Sequence, residues 1–221
     1  MQKIIFSFVL LACFSSFAKA SVIGLDIETG GSVVTDESND FTLGWKFSLS
    51  ESVVLTALGT WDQDADGLNE SQRVRLWQAK VDPTTGDNIE LASEFIDNSA
   101  QIVASASGNQ GQWLFASVAE EVLLTAGDYV IGADRKGNSG DAWQQGNTGI
   151  TTDSRLEWIE SRDGRLNRFG FPNRTFGGTQ FFGPNLKFKS ASVPEPGTLG
   201  LFIASLAGLW LARKSKTQNR R

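Results

Sequence analysis

Three aspartates recur at every second residue in Asp62-Gln63-Asp64-Ala65-Asp66-Gly67. Calcium loops often open with that spacing, because alternate carboxylates converge on one side of a tight turn and a glycine permits the turn. The helical EF-hand version fails, since its twelfth position falls on Arg73 rather than on a bidentate acid. A β-turn version would need Glu70 or backbone carbonyls to complete the shell. The other reading is a solvated acidic hairpin loop. Calcium is the one candidate cofactor, and no cofactor is required. Two tryptophans are the second candidate. Trp143 lies in Asp141-Ala142-Trp143-Gln144-Gln145-Gly146-Asn147, a polar stretch without periodicity, and Trp158 lies among Arg155, Glu157 and Glu160. An exposed indole can stack on the apolar face of a sugar while amide side chains bond its hydroxyls. The other reading is that both tuck onto the protein surface beneath a long loop.

Other chemistries are excluded by what the chain lacks. It has no histidine in 221 residues, so no Ser-His-Asp or Cys-His nucleophile system can form, and no histidine-ligated zinc, iron or copper. The single cysteine, Cys13, sits in an apolar N-terminal run, so the folded part is expected to have neither thiol nor disulfide. Paired carboxylates could serve a glycosidase. With 24 acids in residues 21–192 some pair always exists, and no motif names a geometry. The chain is therefore expected not to be an enzyme.

Charge is unevenly spread. Residues 21–100 carry 15 acids and 4 bases, residues 101–154 carry 6 and 2, and residues 155–192 carry 3 and 7. The segment 21–192 is thus at −11. Phosphate backbones demand clustered cations, so nucleic acid is excluded as a partner of this segment as a whole. Arg155, Arg162, Arg165, Arg168 and Arg174 form the one basic stretch, read as a face that pairs with the acidic half.

The ends read as targeting segments that must position the rest. Residues 1–20 have the layout of a secretory signal peptide: Lys3, an apolar run from Ile4 to Phe17, and Ala18-Lys19-Ala20 as a signal-peptidase site. Leu10-Leu11-Ala12-Cys13 loosely matches a lipoprotein box, but Leu11 is the wrong size and the apolar run continues past the cysteine. Residues 198–212 carry no charge and as a helix span about 22 Å, less than the ~30 Å hydrocarbon core. Arg213, Lys214, Lys216, Arg220 and Arg221 follow, which places the tail inside and residues 21–192 outside. Gly200, Ala204 and Gly208 form a small-residue stripe, as membrane helices commonly do.

Just before this helix stands Val193-Pro194-Glu195-Pro196-Gly197-Thr198. Two prolines fix φ and bar a helix, and the residue before each is pushed toward extended backbone. The result is a rigid strip holding one carboxylate at the membrane surface. Pro-Glu-Pro, one short apolar helix and a basic terminus, in residues 193–216, resemble the PEP-CTERM sorting signal of Gram-negative envelope proteins. The resemblance implies recognition of Pro194, Glu195 and Pro196 by an exosortase, a membrane-embedded cysteine transpeptidase-like enzyme. It further implies removal of the helix and delivery to the cell surface or the exopolysaccharide matrix. Residues 217–221 would remain as a cytoplasmic tail of the precursor, anchored transiently in the inner membrane.

Between the ends, residues 21–192 read as one domain. Phe41, Leu43, Trp45, Phe47 and Leu49 alternate with Thr42, Lys46 and Ser48, a half-buried strand. Further strands are expected at Val53–Trp61, Arg73–Val81, Ile89–Phe95, Ile102–Ala106, Trp113–Val118, Val122–Leu124, Tyr129–Ala133 and Asn185–Lys189. Pro83–Gly86 and Thr125–Asp128 supply turns. Strands at this spacing without helical periodicity predict an all-β fold, an antiparallel β-sandwich or jelly roll. Roughly 170 residues can bury a core without disulfides. Leu43-Gly44-Trp45-Lys46-Phe47, Leu58-Gly59-Thr60-Trp61-Asp62, Val74-Arg75-Leu76-Trp77 and Leu124 to Ala133 resemble a β-sandwich domain of unknown function found in many PEP-CTERM proteins. Residues 134–180 depart from it and read as a loop rich in Arg, Gly and Asn. The expected role is a surface or matrix protein that binds or structures exopolysaccharide. A glycan-processing enzyme and a calcium-dependent adhesive module are the alternatives.

Overall fold

The computed structural model of the chain describes residues 20–34, 38–81, 84–104, 111–176 and 181–191. The chain separates into two compact units, Met1–Ser190 and Ala191–Arg221. Of the second, only Ala191 is described. The expected signal peptide (apart from Ala20), the Pro194-Glu195-Pro196 strip, the helix 198–212 and the basic tail lie outside the described residues. Among the described residues no helix is long and apolar enough to cross a membrane.

The first unit is built of strands. In chain order these are β1 (Val22–Ile23), β2 (Leu25–Val34), β3 (Phe41–Leu49), β4 (Val53–Asp62), β5 (Gln72–Val81), β6 (Asn88–Ile96) and β7 (Gln101–Ala104). There follow β8 (Gln112–Leu124), β9 (Gly127–Arg135), β10 (Trp143–Thr152), β11 (Leu156–Asp163), β12 (Arg174–Phe176), β13 (Phe181–Phe182) and β14 (Pro184–Ser190). They form a five-stranded sheet in the order β1-β14-β4-β8-β7, a six-stranded sheet β12-β11-β3-β9-β5-β6, and a small sheet β13-β10-β2. All their ladders are antiparallel. The all-β, antiparallel, sandwich-like expectation is met.

Alternation along β3 explains its place. Trp45, Phe47 and Leu49 point into one hydrophobic core with Leu76 and Ile131 of the same sheet. The five-stranded sheet answers with Leu55, Leu58, Trp61, Trp113, Phe115 and Phe188. Each buried Leu or Phe contributes about 1.5–3 kcal/mol. Trp61 and Trp113 meet at 4.8 Å between ring centroids, and the buried Trp45 indole donates from Nε1 to the Pro184 carbonyl at 2.8 Å. That bond ties β3 to β14, and so one large sheet to the other.

The structure corrects two readings. Residues 134–180 are not one loop, because β10, β11 and β12 lie there. The strands expected at 113–118 and 122–124 are a single strand, β8, whose pairing with β4 breaks between Ser117 and Val122. Ile89, Leu91 and Phe95, which mark the expected strand Ile89–Phe95, do not all share one face. In the β5–β6 ladder Leu76 faces Ala92 and Trp77 faces Glu90, leaving Leu91 as an extra residue. An extra residue flips every later side chain to the other face. Leu91 packs on the core, and Phe95 points outward beside Arg73.

The outer face of the six-stranded sheet is itself partly covered. Residues 164–173 cross it as a strap. The Gly164 amide donates to the Thr42 carbonyl at 2.7 Å, the Gly170 amide donates to Thr42 Oγ1 at 2.9 Å, and Phe171 meets Trp77 edge-on at 5.6 Å. Trp77, though on the polar face of β5, is buried as a result.

Candidate functional site

The acidic loop leaves the end of β4 and returns at β5. Asp62 is buried and caps the loop: Oδ1 accepts from the Ala65 amide at 3.1 Å, and Oδ2 accepts from the Gly67 amide at 3.0 Å and from Gln112 Nε2 at 2.7 Å. Those bonds hold Ala65 and Gly67 at φ of 59° and 104°, a region glycine enters freely and alanine does not. Asn98 clamps the next residue. Its Oδ1 accepts from the Leu68 amide at 2.6 Å and its Nδ2 donates to the Leu68 carbonyl at 3.0 Å. Buried Asp141 accepts from the amides of Asn69 at 2.8 Å and Glu70 at 3.4 Å.

The structure does bring Asp62, Asp64 and Asp66 together. One carboxylate oxygen of each lies within 4.8 Å of the others, with Asp62 buried and the other two exposed. Asp66 bonds to Asp64, and that bond, with the charges of Asp64, Asp62 and Asp141, raises its pKa above the usual carboxylate value. Glu70 does not join them; it pairs with Lys136 at 2.5 Å, which raises the lysine pKa. The cluster offers three carboxylates, fewer than the six to eight oxygens calcium takes. Second carboxylate oxygens, backbone carbonyls or waters would have to supply the rest.

The tryptophans pack against the body rather than stand free of it. Trp143 opens β10 and is 4% exposed. It sits in a satellite cluster with Phe41, Leu43 and Phe181, edge-on to Phe41 at 5.7 Å. The Arg135 guanidinium lies 4.0 Å above its ring. Trp158 is half-buried on β11, packed against the main core and 6.3 Å from Phe182. Trp143 offers no open face, as a ring of this size gains from packing, and Trp158 is partly exposed. Burial of Trp143 removes it as an exposed platform, while Trp158 keeps part of its surface open.

The basic stretch is mostly paired with its own neighbours. Arg155 binds Asp153 at 2.7 Å and reaches Glu51 of the acidic half at 4.0 Å, Arg162 pairs with Glu160, and Arg174 pairs with Asp163. The Arg155 bond lowers the Asp153 pKa, and Lys46 lowers that of Asp128 in the same way. Arg165 and Arg168 lie on the strap and line a hollow with Phe169.

Two larger clefts open on the unit. One, of about 390 Å³, lies over the satellite cluster and is edged by the Asp163–Arg174 pair. The other, of about 410 Å³, lies on the outer face of the six-stranded sheet among Arg73, Arg75, Phe95, Asp134 and Phe169. Neither was visible in the sequence, because each gathers residues from strands and a strap far apart in the chain. The chain matches no protein-family model and no curated protein.

Proposed function

We propose that this chain is an exported envelope protein of a Gram-negative bacterium that binds or structures exopolysaccharide at the cell surface or in the extracellular matrix. Its body is read as a jelly-roll-like sandwich. Signal peptidase removes residues 1–20, the helix 198–212 anchors the precursor in the inner membrane with the body in the periplasm, and an exosortase acts at Pro194-Glu195-Pro196. One observation carries this reading: the order signal peptide, acidic body, Pro-Glu-Pro strip, short uncharged helix and basic terminus in a single chain. The rigid strip can enter an enzyme cleft without first unfolding a helix. The all-β body, with no histidine in the whole chain, is in keeping with a structural or binding role.

Two experiments test it. In a host carrying the exosortase, Pro194→Ala/Pro196→Ala and Glu195→Gln should accumulate as uncleaved precursor in the inner membrane. Normal processing of both variants would refute the sorting role of the strip. Binding to exopolysaccharide purified from that host tests the second half, and no retention on it would refute the matrix role.

A second reading, a calcium-dependent adhesive module, is favoured by the convergence of Asp62, Asp64 and Asp66. A cation would replace the proton in the Asp66–Asp64 hydrogen bond and offset the neighbouring charges, the two effects that raise the Asp66 pKa. A ligand held only by the folded state at a hundredfold over its Kd stabilises by about 2.7 kcal/mol. Millimolar calcium should therefore raise Tm where sodium at equal ionic strength does not, and Asp64→Asn should blunt the rise. An equal shift with both salts would remove this reading.

A further inference from the structure

Among the described residues, Phe95 and Phe169 are the aromatic side chains that stand well exposed, at 66% and 44%. Single exposed apolar residues are ordinary on a protein surface. These two border the same cleft of about 410 Å³, a volume within the range of small-molecule sites. The bulge at Leu91 turns Phe95 out to the cleft, and the strap brings Phe169 to it. The floor is fixed. The Arg75–Asp134 ion pair is about nine-tenths buried, and Thr42 Oγ1 donates to Asp134 at 2.7 Å. Arg73 is held by Ser93 at 2.8 Å, with its guanidinium 5.5 Å from the Phe95 ring centroid. Beyond Phe169 the strap presents Arg165 and Arg168 in an adjoining hollow, and among the described residues neither has a carboxylate partner. A segment at −11 overall thus carries two arginines beside a cleft whose own rim also holds the Glu70–Lys136 ion pair.

We propose that this cleft binds an acidic saccharide chain, its sugar rings stacked on Phe95 and Phe169 and its carboxylates held by Arg165 and Arg168. A pyranose presents an apolar face that suits a phenyl ring, and a guanidinium matches a carboxylate in shape as well as charge. The acidic character follows from charge complementarity: a neutral glycan would leave both arginines unused. The proposal rests on the exopolysaccharide reading above and replaces Trp143 and Trp158 as its stacking residues.

The test uses the full chain in detergent with three polymers: polygalacturonate, neutral dextran, and polyglutamate as a polyanion without sugar rings. Polygalacturonate should bind best. Phe95→Ala and Phe169→Ala should each weaken it about tenfold, the loss that ~1.4 kcal/mol of contact represents. Arg165→Gln/Arg168→Gln should weaken polygalacturonate and leave dextran unchanged. All four substitutions are at the surface, so Tm should stay within about 3 °C of the parent. Equal binding of dextran, or of polyglutamate, would overturn the acidic-sugar assignment. Parental binding in a Phe95→Ala/Phe169→Ala double variant would overturn the cleft. If that double variant still binds host exopolysaccharide as the parent does, the cleft assignment fails and the matrix reading survives. If the parent binds neither polygalacturonate nor host exopolysaccharide, both fail.

Discussion

Asn185 is fully buried near the start of β14 and serves as a bracket between two sheets. Its Nδ2 donates to the Leu25 carbonyl at 2.6 Å, while Oδ1 accepts from the Leu25 amide at 3.2 Å and the Leu186 amide at 2.8 Å. Asn185→Ala strips these partners from Leu25, and each buried group left unsatisfied costs about 1–3 kcal/mol. The variant should lose about 3 kcal/mol, seen as a lower urea midpoint at unchanged m. A midpoint equal to the parent's would show that the bracket carries no stability. Asp66 gives a prediction of opposite sign. A raised pKa means that the folded state holds the proton more tightly, so stability falls as pH rises from the unfolded value near 3.9 through the higher folded one. Without calcium, Asp66→Asn should raise Tm at pH 7 and not at pH 3. A gain equal at both pH values would rule out charge repulsion as its cause. The spacing of Asp62, Asp64 and Asp66 was legible in the sequence. Their supports were not: Asn98, Gln112 and Asp141 come from 30 or more residues away.

Strands rich in apolar residues were legible even where they carry bulges, as in β4, β5 and β6, and the strands within 134–180 were not. β3 and β9 show period two because one face is apolar along the strand, whereas β4 is irregular where its pairing with β8 skips Thr56. In β11 the pairing with β3 skips Ile159, so Leu156 and Trp158 face inward before the skip and Ser161 and Asp163 are buried after it. Such a phase change erases the pattern. β10 hides in another way, because it buries Gln144 beside Trp143. The strap 164–173 has no periodicity at all and is held through Thr42, whose hydroxyl donates to Asp134 and accepts from Gly170. Thr42→Val keeps the shape and removes both bonds. It should cost about 1–3 kcal/mol and speed exchange of the Gly170 amide selectively. Unchanged exchange at Gly170 would mean that the strap is held by its other anchors, the Asn167 amide on the Asp40 carbonyl and Phe171 on Trp77. β3 and β9 also need their facing glycines. A Cβ at Gly44 would lie 2.0 Å from the Ile131 carbonyl oxygen, so the two backbones could not stay paired.

At the scale of the whole molecule, acid should unfold the body for a local reason and not only through net charge. Lys46 holds Asp128, and Arg155 holds Asp153, below the ordinary carboxylate value. A lowered pKa contributes stability that is complete above about 3.9 and disappears as pH falls through the folded value. Tm should therefore drop below about pH 4, and Asp153→Asn should flatten that drop. An acid limb unchanged in this variant would assign the loss to other carboxylates. Export of that body follows from the proposed sorting signal, and intact-mass and terminal-peptide mass spectrometry of protein released from the surface of an exosortase-bearing host decides it. The released chain should begin at Ser21 and lack Leu199–Arg221. A surface-released chain that still carries Leu199–Arg221 would contradict it.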